Sequence, residues 1–488
     1  MFTALQSGEK GYLKLFEALE KHQDYDEEKL RKLFAGEDFI KRLPAVKNYL
    51  SGQLLKSLRV VRAGNTRSSE IKGLLEDIAI LHEKRLYKQA LKIIEKTREL
   101  AHQQELFESL LELNRLEEQV LLETLDLERF EANLPVSYAL DKELLDLLHN
   151  VAEYRNLYNR IVLLNKKIKE ARTEAELRLF TEISNHPLLQ SVDRARCFDS
   201  RNYYYRILLI YNHAKGDNKT SLELAKAQLA LIESFPDKIT EDPKSYLSAL
   251  NNILLGQIHL HAYENFGETL AKLKAFPHKS ISQEVSHFIH VCTFEMVMYL
   301  DTGDFEKSVD IRAGLISGMK KYEDKINPIE KITLLYNLFY SYFGTGEFSK
   351  ALEIINQLQN RYQKELRYDI QCAVKILNLI LHYELGSNLL LEHNAISTYR
   401  FLIKSKRLYK LENIVLDFIR KKMPSIYSPK DEIAAFKQLR TEFMELTPHP
   451  YESKAFEYFD YISWLDSKIE GKPFAEIVRR KFKANYGG

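Results

Sequence analysis

The chain has 488 residues, with 71 lysines and arginines against 69 acidic residues, so its formal net charge is only +2. This balance gives no global electrostatic argument for a nucleic-acid partner, and the length excludes a single small globular domain. Glycine (18) and proline (12) are scarce, which favours long helices with short connections and predicts an all-α protein.

The cysteines and the apolar segments restrict the compartment. Cys197, Cys292 and Cys372 lie far apart and suggest neither a disulfide framework nor a thiolate zinc site, so a reducing compartment is expected. The first residues lack the basic start and apolar core of a secretory signal, and no stretch approaches the ~18 apolar residues of a membrane span. We expect a cytoplasmic, soluble protein with no membrane partner.

Residues 1–66 predict an N-terminal helical bundle, in which Gly36, Pro44 and the loop at residues 64–69 separate short helices. Charge is uneven around it. Residues 40–72 carry eight basic residues and one acid, whereas residues 105–150 carry twelve acids and three bases, so the two segments could attract each other. One positive helix face is predicted from the spacing of Lys41, Lys56, Arg59 and Arg62.

Residues 67–185 predict a degenerate first repeat followed by a long antiparallel helical hairpin. The first repeat turns near Lys84, with the small Ala90 where its helices pack closely. Two helical arms over residues 105–170 then flank a predicted break at residues 131–137, which contains Pro135. The hairpin either protrudes as a coiled coil or packs within the stack. A heptad pattern in the second arm is formed by Leu144, Leu147, Val151, Tyr154, Tyr158 and Ile161.

Residues 186–405 contain units that share a turn glycine and a small residue five positions later. The glycines are Gly216, Gly303 and Gly346, and the small residues are Ser221, Ser308 and Ala351. An aromatic residue follows two of the glycines by two positions, at Phe305 and Phe348. A weaker unit has Glu264 in the glycine position, and a further hairpin turns at residues 386–388.

The unit at residues 332–358 carries the clearest pattern, with Tyr342 four residues before Gly346 and Ala351 five after it. It resembles a tetratricopeptide (TPR) repeat, although the units here are about 40 residues long rather than 34. This resemblance implies a right-handed α-solenoid of helical hairpins that binds another protein or a peptide in its concave groove. Some bacterial peptide-sensing regulators have a similar layout, with a helical bundle before repeats of this length.

The resemblance places the first helix of each hairpin in the groove. An aromatic strip on the best unit and polar residues on its neighbours would suit a peptide with apolar anchors. The alternative is that these bulky side chains only fill a tightly wound superhelix. The candidate groove residues are Tyr203, Arg206, His213, Asn251, His261, His290, Tyr336, Tyr340 and Phe343.

Residues 406–488 predict C-terminal capping helices. After Pro424 and Pro429, three amphipathic helices offer a large aromatic surface that would cover the exposed last repeat. The aromatic residues are Phe456, Phe459, Trp464, Phe474 and Phe482.

Signatures of chemistry are missing from the sequence. There is no Gly-x-x-x-x-Gly-Lys-Ser/Thr loop, no Gly-x-Gly-x-x-Gly and no His-Glu-x-x-His, so we expect no enzyme, no catalytic residues and no cofactor. A histidine-rich region spans residues 259–292. It is interpreted as scattered surface or groove histidines, with a metal site as the alternative.

The favoured function is a non-enzymatic scaffold that binds a protein or peptide. The alternative is a peptide-sensing regulator that binds nucleic acid through the basic N-terminal region. We favour a solvated or intramolecular role for Lys41, Lys56, Arg59 and Arg62, because no recognition helix with its turn can be identified around them.

Overall fold

The computed structural model describes residues 10–21, 25–62, 66–124, 126–168, 171, 173–278, 280–362, 368–405, 409–449 and 452–486. These ranges contain 23 α-helices, several short 3-10 or π turns and no β-strand, so the all-α prediction is confirmed. Neighbouring helices pack in pairs. The boundaries predicted after residues 66, 185 and 405 all fall between helices.

The chain divides into two compact units, each with its own core. Unit 1 comprises Met1–Glu153, Arg196–Ser200 and Ile232–Pro243, and unit 2 comprises Tyr154–Ala195, Arg201–Leu231 and Lys244–Gly488. The first helices in chain order are α1 (Lys10–Lys21), α2 (Glu27–Leu33), α3 (Leu43–Arg62), α4 (Arg67–Glu83), α5 (Tyr87–Gln103), α6 (Phe107–Glu123), α7 (Leu127–Ile168) and α8 (Glu174–Ser184).

The remaining helices follow in chain order. They are α9 (Phe198–Lys215), α10 (Asn218–Glu233), α11 (Pro236–Glu241), α12 (Pro243–His259), α13 (Phe266–Ala275), α14 (Ile281–Asp301), α15 (Phe305–Lys321), α16 (Pro328–Gly344), α17 (Phe348–Arg361), α18 (Tyr368–Glu384), α19 (Asn388–Lys404), α20 (Lys410–Asp417), α21 (Pro429–Leu446), α22 (Tyr461–Glu470) and α23 (Phe474–Tyr486).

Helices α1 and α3 pack together as the N-terminal bundle of unit 1, around the buried Leu15 and Leu43. Helix α2 begins where the Asp26 carboxylate accepts hydrogen bonds from the main-chain N–H groups of Glu28 and Lys29, which supplies partners to the unpaired first turn.

The long hairpin differs from its prediction in the position of its turn. Helix α7 runs for 42 residues with Pro135 inside it. Because α6 ends at Glu123 and α7 begins at Leu127, the predicted break at residues 131–137 is wrong. A proline inside a helix removes one hydrogen bond and costs about 3 kcal/mol. Pro135 is exposed, so water can reach the freed carbonyl, and the packing of the rest of α7 offsets the loss.

The same hairpin packs within the units rather than protruding. Leu144 of the predicted heptad pattern is buried in unit 1, and Tyr154 and Ile161 are buried in unit 2. A polar cluster holds α6 on α7 within unit 1, because the Asn114 amide donates to Ser137 Oγ over 2.8 Å and to Asp141 Oδ1 over 2.7 Å. The coiled-coil alternative is therefore wrong.

Hairpin corners in unit 2 share one backbone conformation. The predicted turn residues Gly216, Gly303 and Gly346 all have left-handed φ values, from 77° to 80°, as does Gly386 at 67°. At Gly346 the corner closes with hydrogen bonds from Gly346 N to Phe343 O and from Glu347 N to Tyr342 O. This is the pattern of a Schellman helix end, and the predicted turns are confirmed.

Three further corners have the same conformation without glycine. Arg85, Glu105 and His261 have φ values of 57°, 52° and 51°. His261, and not Glu264, therefore stands in the glycine position of the weaker unit. Its corner closes with the same two hydrogen bonds, from His261 N to Ile258 O and from Ala262 N to Gln257 O.

A buried guanidinium connects α15 to the end of α16 in unit 2. Arg312 is 5% exposed and donates to Ser341 Oγ over 2.7 Å, to the Ser341 carbonyl over 2.9 Å and to Thr345 Oγ1 over 2.8 Å. It also pairs with Glu347 in the corner that follows α16. At the other end of α16, Asn327 and Glu330 form a capping box.

The largest apolar core of unit 2 extends from Val285 on α14 to Val478 on α23, so residues of the C-terminal helices belong to the same core as the hairpins from α14 to α19. None of the helices in the described ranges carries an apolar stretch long enough to cross a membrane.

Candidate functional site

The aromatic strip on α16, formed by Tyr336, Tyr340 and Phe343, is covered by the chain itself. The covering part is the C-terminal segment, residues 452–486. The Tyr336 hydroxyl donates to the carbonyl of Tyr458 over 2.6 Å. Burial beneath the segment raises the pKa of Tyr336 and of Tyr340 above the ordinary tyrosine value, because the phenolate would lose its hydration.

Two phenylalanines of the C-terminal segment lie directly on the strip. Phe459 and Phe474 stack on each other at 5.6 Å. The Tyr340 ring lies 5.5 Å and 6.0 Å from these two rings, and the Phe343 ring lies 4.9 Å and 5.4 Å from them, measured between centroids. The expected open groove is thus corrected at these three positions: the strip is filled by aromatic side chains of the same polypeptide.

Polar contacts hold the C-terminal segment at other hairpins of unit 2. The Trp464 indole N–H donates to Glu384 Oε1 over 2.6 Å at the end of α18. Arg479 donates to the Gly303 carbonyl over 3.1 Å and pairs with Asp304 over 3.2 Å, both at the corner between α14 and α15. The segment therefore lies along the hairpins instead of capping only the last of them, as the sequence had suggested.

Gly303 allows α23 to pack closely against the corner between α14 and α15. A Cβ atom at position 303 would lie 2.4 Å from the main-chain nitrogen of Arg479, a distance that real Cβ atoms essentially never show. The same glycine thus provides a left-handed corner and room for α23.

His261 is a corner residue, so its role in the predicted groove changes. Its Nδ1 lies 2.7 Å from Asp301 Oδ2, and its ring stacks on Tyr486 at 4.3 Å. Tyr263 also hydrogen-bonds to Asp301, and burial together with that charge raises the pKa of Tyr263.

Asn251 and His290 join neither the strip nor the pocket described next. The Asn251 side-chain oxygen is buried and has no hydrogen-bond partner among the described residues. Burial lowers the pKa of His290, whose ring lies 6.5 Å from that of Phe294.

Of the other predicted groove residues, Arg206 and His213 line an open pocket of about 260 Å³ in unit 2, whereas Tyr203 is not part of its lining. This is the Arg206 pocket. The Arg206 guanidinium lies over the Tyr158 ring at 4.2 Å and hydrogen-bonds to its hydroxyl, and the Tyr203 ring lies 5.3 Å from that of Tyr158. The pocket is lined by Tyr158, Asn165, Arg206, Leu209, Ile210, His213, Asn218, Ser221, Ser248, Asn252, Leu255, Gly256 and His259.

Sequence reasoning missed part of this lining. Tyr158 occupies a position of the predicted heptad pattern, yet the Arg206 guanidinium lies over its ring. Asn252 and His259 were not singled out for the pocket. Contacts between α7, α9 and α12 bring these residues together. Such contacts between helices that are distant in the sequence cannot be predicted from a local sequence pattern.

The histidine-rich region does not converge. In the described ranges, no group of three or more His, Cys, Asp or Glu side chains is placed to hold a metal ion. His278 and His287 have rings 5.5 Å apart, and His287 Nε2 lies 3.1 Å from the Lys274 carbonyl oxygen.

The basic patch lies in unit 1. Lys41 pairs with Asp38 over 3.2 Å, whereas Lys56 and Arg59 are exposed near the end of α3. The Arg62 side chain and residues 63–65 lie outside the described residues. Among the described residues, no ion pair joins residues 40–72 to the acidic residues 105–150, so the expected intramolecular attraction is not seen there.

No family model, curated protein or solved structure compared with the chain matches it.

Proposed function

We propose that the chain is a non-enzymatic scaffold that binds a protein or peptide segment along the first helices of a right-handed, TPR-like solenoid. One observation carries the proposal. The aromatic strip on α16 already holds a stretch of polypeptide, the C-terminal segment, through ring contacts and a hydrogen bond from Tyr336 to a main-chain carbonyl.

Ring contacts together with a hydrogen bond to a main-chain carbonyl can hold polypeptide segments of many different sequences. Aromatic rings bury a large area at low conformational cost, and a bond to a main-chain carbonyl makes no demand on the side chain of the bound residue. A surface that holds one segment of its own chain in this way has the chemistry to hold a segment of another. A partner that used the α16 strip would first have to displace Phe459 and Phe474.

The Arg206 pocket is the part of the first-helix surface that a partner would reach without that displacement. Its lining comes from α7, α9, α10 and α12, and His213, Ser248 and Leu255 are exposed at its rim. A partner segment is therefore proposed to contact α9 and α12 first.

Site-specific photo-crosslinking tests the proposal. The photoreactive residue p-benzoylphenylalanine replaces Asn252 on α12 in the full-length chain, which is irradiated in extract of its native cells. The matched control carries the same residue in place of Glu223, which is exposed on the second helix α10. We expect a discrete protein adduct from position 252 and none from position 223. No adduct from position 252, or the same adducts from both, would contradict the proposal.

A further inference from the structure

The Arg206 guanidinium is held in place without a carboxylate partner. Its contacts are the Tyr158 hydroxyl and the face of the Tyr158 ring. A cation over an aromatic ring keeps its charge, and the planar guanidinium retains N–H groups that can form two parallel bonds to a carboxylate. In the described ranges, no Asp or Glu lies within ion-pair distance of Arg206. The charge is thus positioned and available.

The rest of the lining supplies hydrogen-bond donors and no acidic side chain. Asn165, Asn218 and Asn252 offer amide N–H groups, and Ser221 and Ser248 offer hydroxyls. His213 and His259 complete the polar side, with rings 6.2 Å apart. The nearby Asp217 is already engaged, because its carboxylate accepts from the Thr220 N–H over 3.1 Å and pairs with Lys215 over 3.7 Å. Such a lining favours an anionic group over a cationic one.

The volume of the Arg206 pocket indicates a peptide side chain or terminus as the bound group, and not a larger ligand. A volume of about 260 Å³ lies below the range of roughly 300–1,000 Å³ that is usual for small-molecule sites. Leu209, Ile210 and Leu255 provide an apolar wall next to the guanidinium, which suits the methylene groups that carry a side-chain carboxylate.

We propose that the Arg206 pocket binds a carboxylate of a partner peptide, either from an Asp or Glu side chain or from the C-terminus, with Arg206 as the paired cation. This inference rests on the proposed function and adds the chemical class of the bound group. Because Arg206 is fixed by Tyr158 before binding, little side-chain entropy is lost when the pair forms.

The test selects peptides from two synthetic libraries of random octapeptides, one with free C-termini and one with amidated C-termini. Each library is mixed with the full-length protein, the complexes are isolated by size exclusion, and the bound peptides are identified by mass spectrometry. The variants are Arg206→Gln and, as a matched control, Arg400→Gln, because Arg400 is exposed on α19. Ser248→Trp is a second variant that narrows access from an exposed rim position. Thermal unfolding verifies that each variant is folded.

We expect the wild-type protein and Arg400→Gln to enrich Asp- or Glu-containing peptides from both libraries, or to retain peptides from the free-acid library alone, and Arg206→Gln and Ser248→Trp to lose that selection. Enrichment in both libraries identifies a side-chain carboxylate, whereas enrichment in the free-acid library alone identifies the C-terminus. For one selected peptide, replacing Glu or Asp by its amide, or amidating the C-terminus, should weaken binding about tenfold or more.

Three results would overturn the inference. Peptides selected without preference for a carboxylate, or equally by the wild-type protein and Arg206→Gln, would refute it while leaving peptide binding intact. If neither library yields a bound peptide, the inference and the proposed peptide-binding function both fail.

Discussion

The hydroxyl of Tyr336 donates a hydrogen bond to the main-chain carbonyl of Tyr458, 122 residues further along the chain. This bond fixes the start of the C-terminal segment against α16, and Phe459 continues the contact with Tyr340 and Phe343. The strip that resembles a binding groove in the sequence is therefore also part of the hydrophobic core. A test of partner binding by Tyr340→Ala with Phe343→Ala would also disturb folding.

We predict that Phe459→Ala destabilises unit 2 by about 3–5 kcal/mol, the usual cost of removing a fully buried phenylalanine. Phe459 is 1% exposed and contacts four other rings, those of Tyr340, Phe343, Tyr461 and Phe474. The only tryptophan of the sequence, Trp464, lies five residues later, so urea unfolding can be followed by its fluorescence. Tyr427→Ala is the control, because Tyr427 is 86% exposed and its loss should change stability by about 0.5 kcal/mol or less. Equal effects of the two variants would contradict the burial of Phe459.

Replacing each of two glycines by alanine distinguishes two contributions to stability: the cost of a left-handed φ at a residue with a side chain, and the cost of a steric clash with α23. Gly303 and Gly346 both have a φ of 77°, but a Cβ would collide with Arg479 only at position 303, and nothing lies within 4 Å at position 346. We predict that Gly346→Ala costs about 1–2 kcal/mol, the left-handed penalty alone, and that Gly303→Ala costs at least about 1 kcal/mol more. Unfolding monitored by Trp464 fluorescence measures both. Equal losses of stability in Gly303→Ala and Gly346→Ala would show that α23 does not pack closely against the Gly303 corner.

Glu347 should make unit 2 sensitive to acid. Hydrogen bonds from Lys350, and then from Arg312 and Thr345, lower the pKa of Glu347 from 4.5 to about 2. A depressed carboxylate pKa stabilises the fold above pH 4.5, and that contribution is lost as the pH falls from 4.5 towards 2. The Glu347 side chain is 34% exposed, so solvent screening reduces the effect to about 1–2 kcal/mol.

The variant Glu347→Gln measures this contribution directly. The difference in unfolding free energy between the wild-type protein and the variant should be constant between about pH 6 and 7 and should shrink below pH 4.5. Glu353→Gln, on the same helix, is the control, because no such network of hydrogen bonds is found around it in the described part of the chain. A difference that stays constant down to pH 3 would show that Glu347 does not form these bonds in solution.

The basic patch provides a test against the nucleic-acid alternative. We predict that Lys56→Glu with Arg59→Glu leaves partner crosslinking at position 252 unchanged, and that the wild-type protein shows no salt-dependent binding of a labelled DNA duplex. Fluorescence anisotropy between roughly 50 and 200 mM salt detects such binding, since a few phosphate contacts weaken it by about a decade over this range.

The control for this experiment reverses two exposed lysines elsewhere, Lys430→Glu with Lys437→Glu. DNA binding that falls steeply with salt and is lost only in the Lys56 and Arg59 variant would support the regulator instead of the scaffold.

The hairpins could be predicted where a glycine stands at the corner. Glycine adopts the left-handed conformation without the steric penalty of a side chain, so its position in the sequence indicates the turn. The corners at Arg85, Glu105 and His261 carry no such signal. At these positions an ordinary residue adopts the left-handed conformation at a cost of about 1–2 kcal/mol, which packing of the flanking helices offsets. For this reason the sequence pattern places the corner of the weaker unit at Glu264, whereas the left-handed residue is His261.

Long-range packing also explains the other differences. Pro135 signals a helix end locally, but α7 continues through it because its buried residues belong to packed cores. The aromatic residues of the C-terminal segment predict a covering surface, but they do not indicate that this surface lies on α16. An aromatic strip that binds a partner and one that is covered by its own chain have the same sequence pattern. The Arg206 pocket was only partly predicted, since its Tyr158 contact joins α9 to a helix 48 residues away.

The distance in sequence between Tyr336 and Tyr458 has a consequence for synthesis on the ribosome. At a translation rate of about 5–20 residues per second, the 122 residues between them take roughly 6–24 s to make. During that interval Tyr340 and Phe343 have emerged while Phe459 and Phe474 have not, so the nascent chain presents an uncovered aromatic surface. Helices α22 and α23 are translated after the strip that their segment covers, and a chain that ends before Phe459 leaves that surface open to chaperones and to other nascent chains.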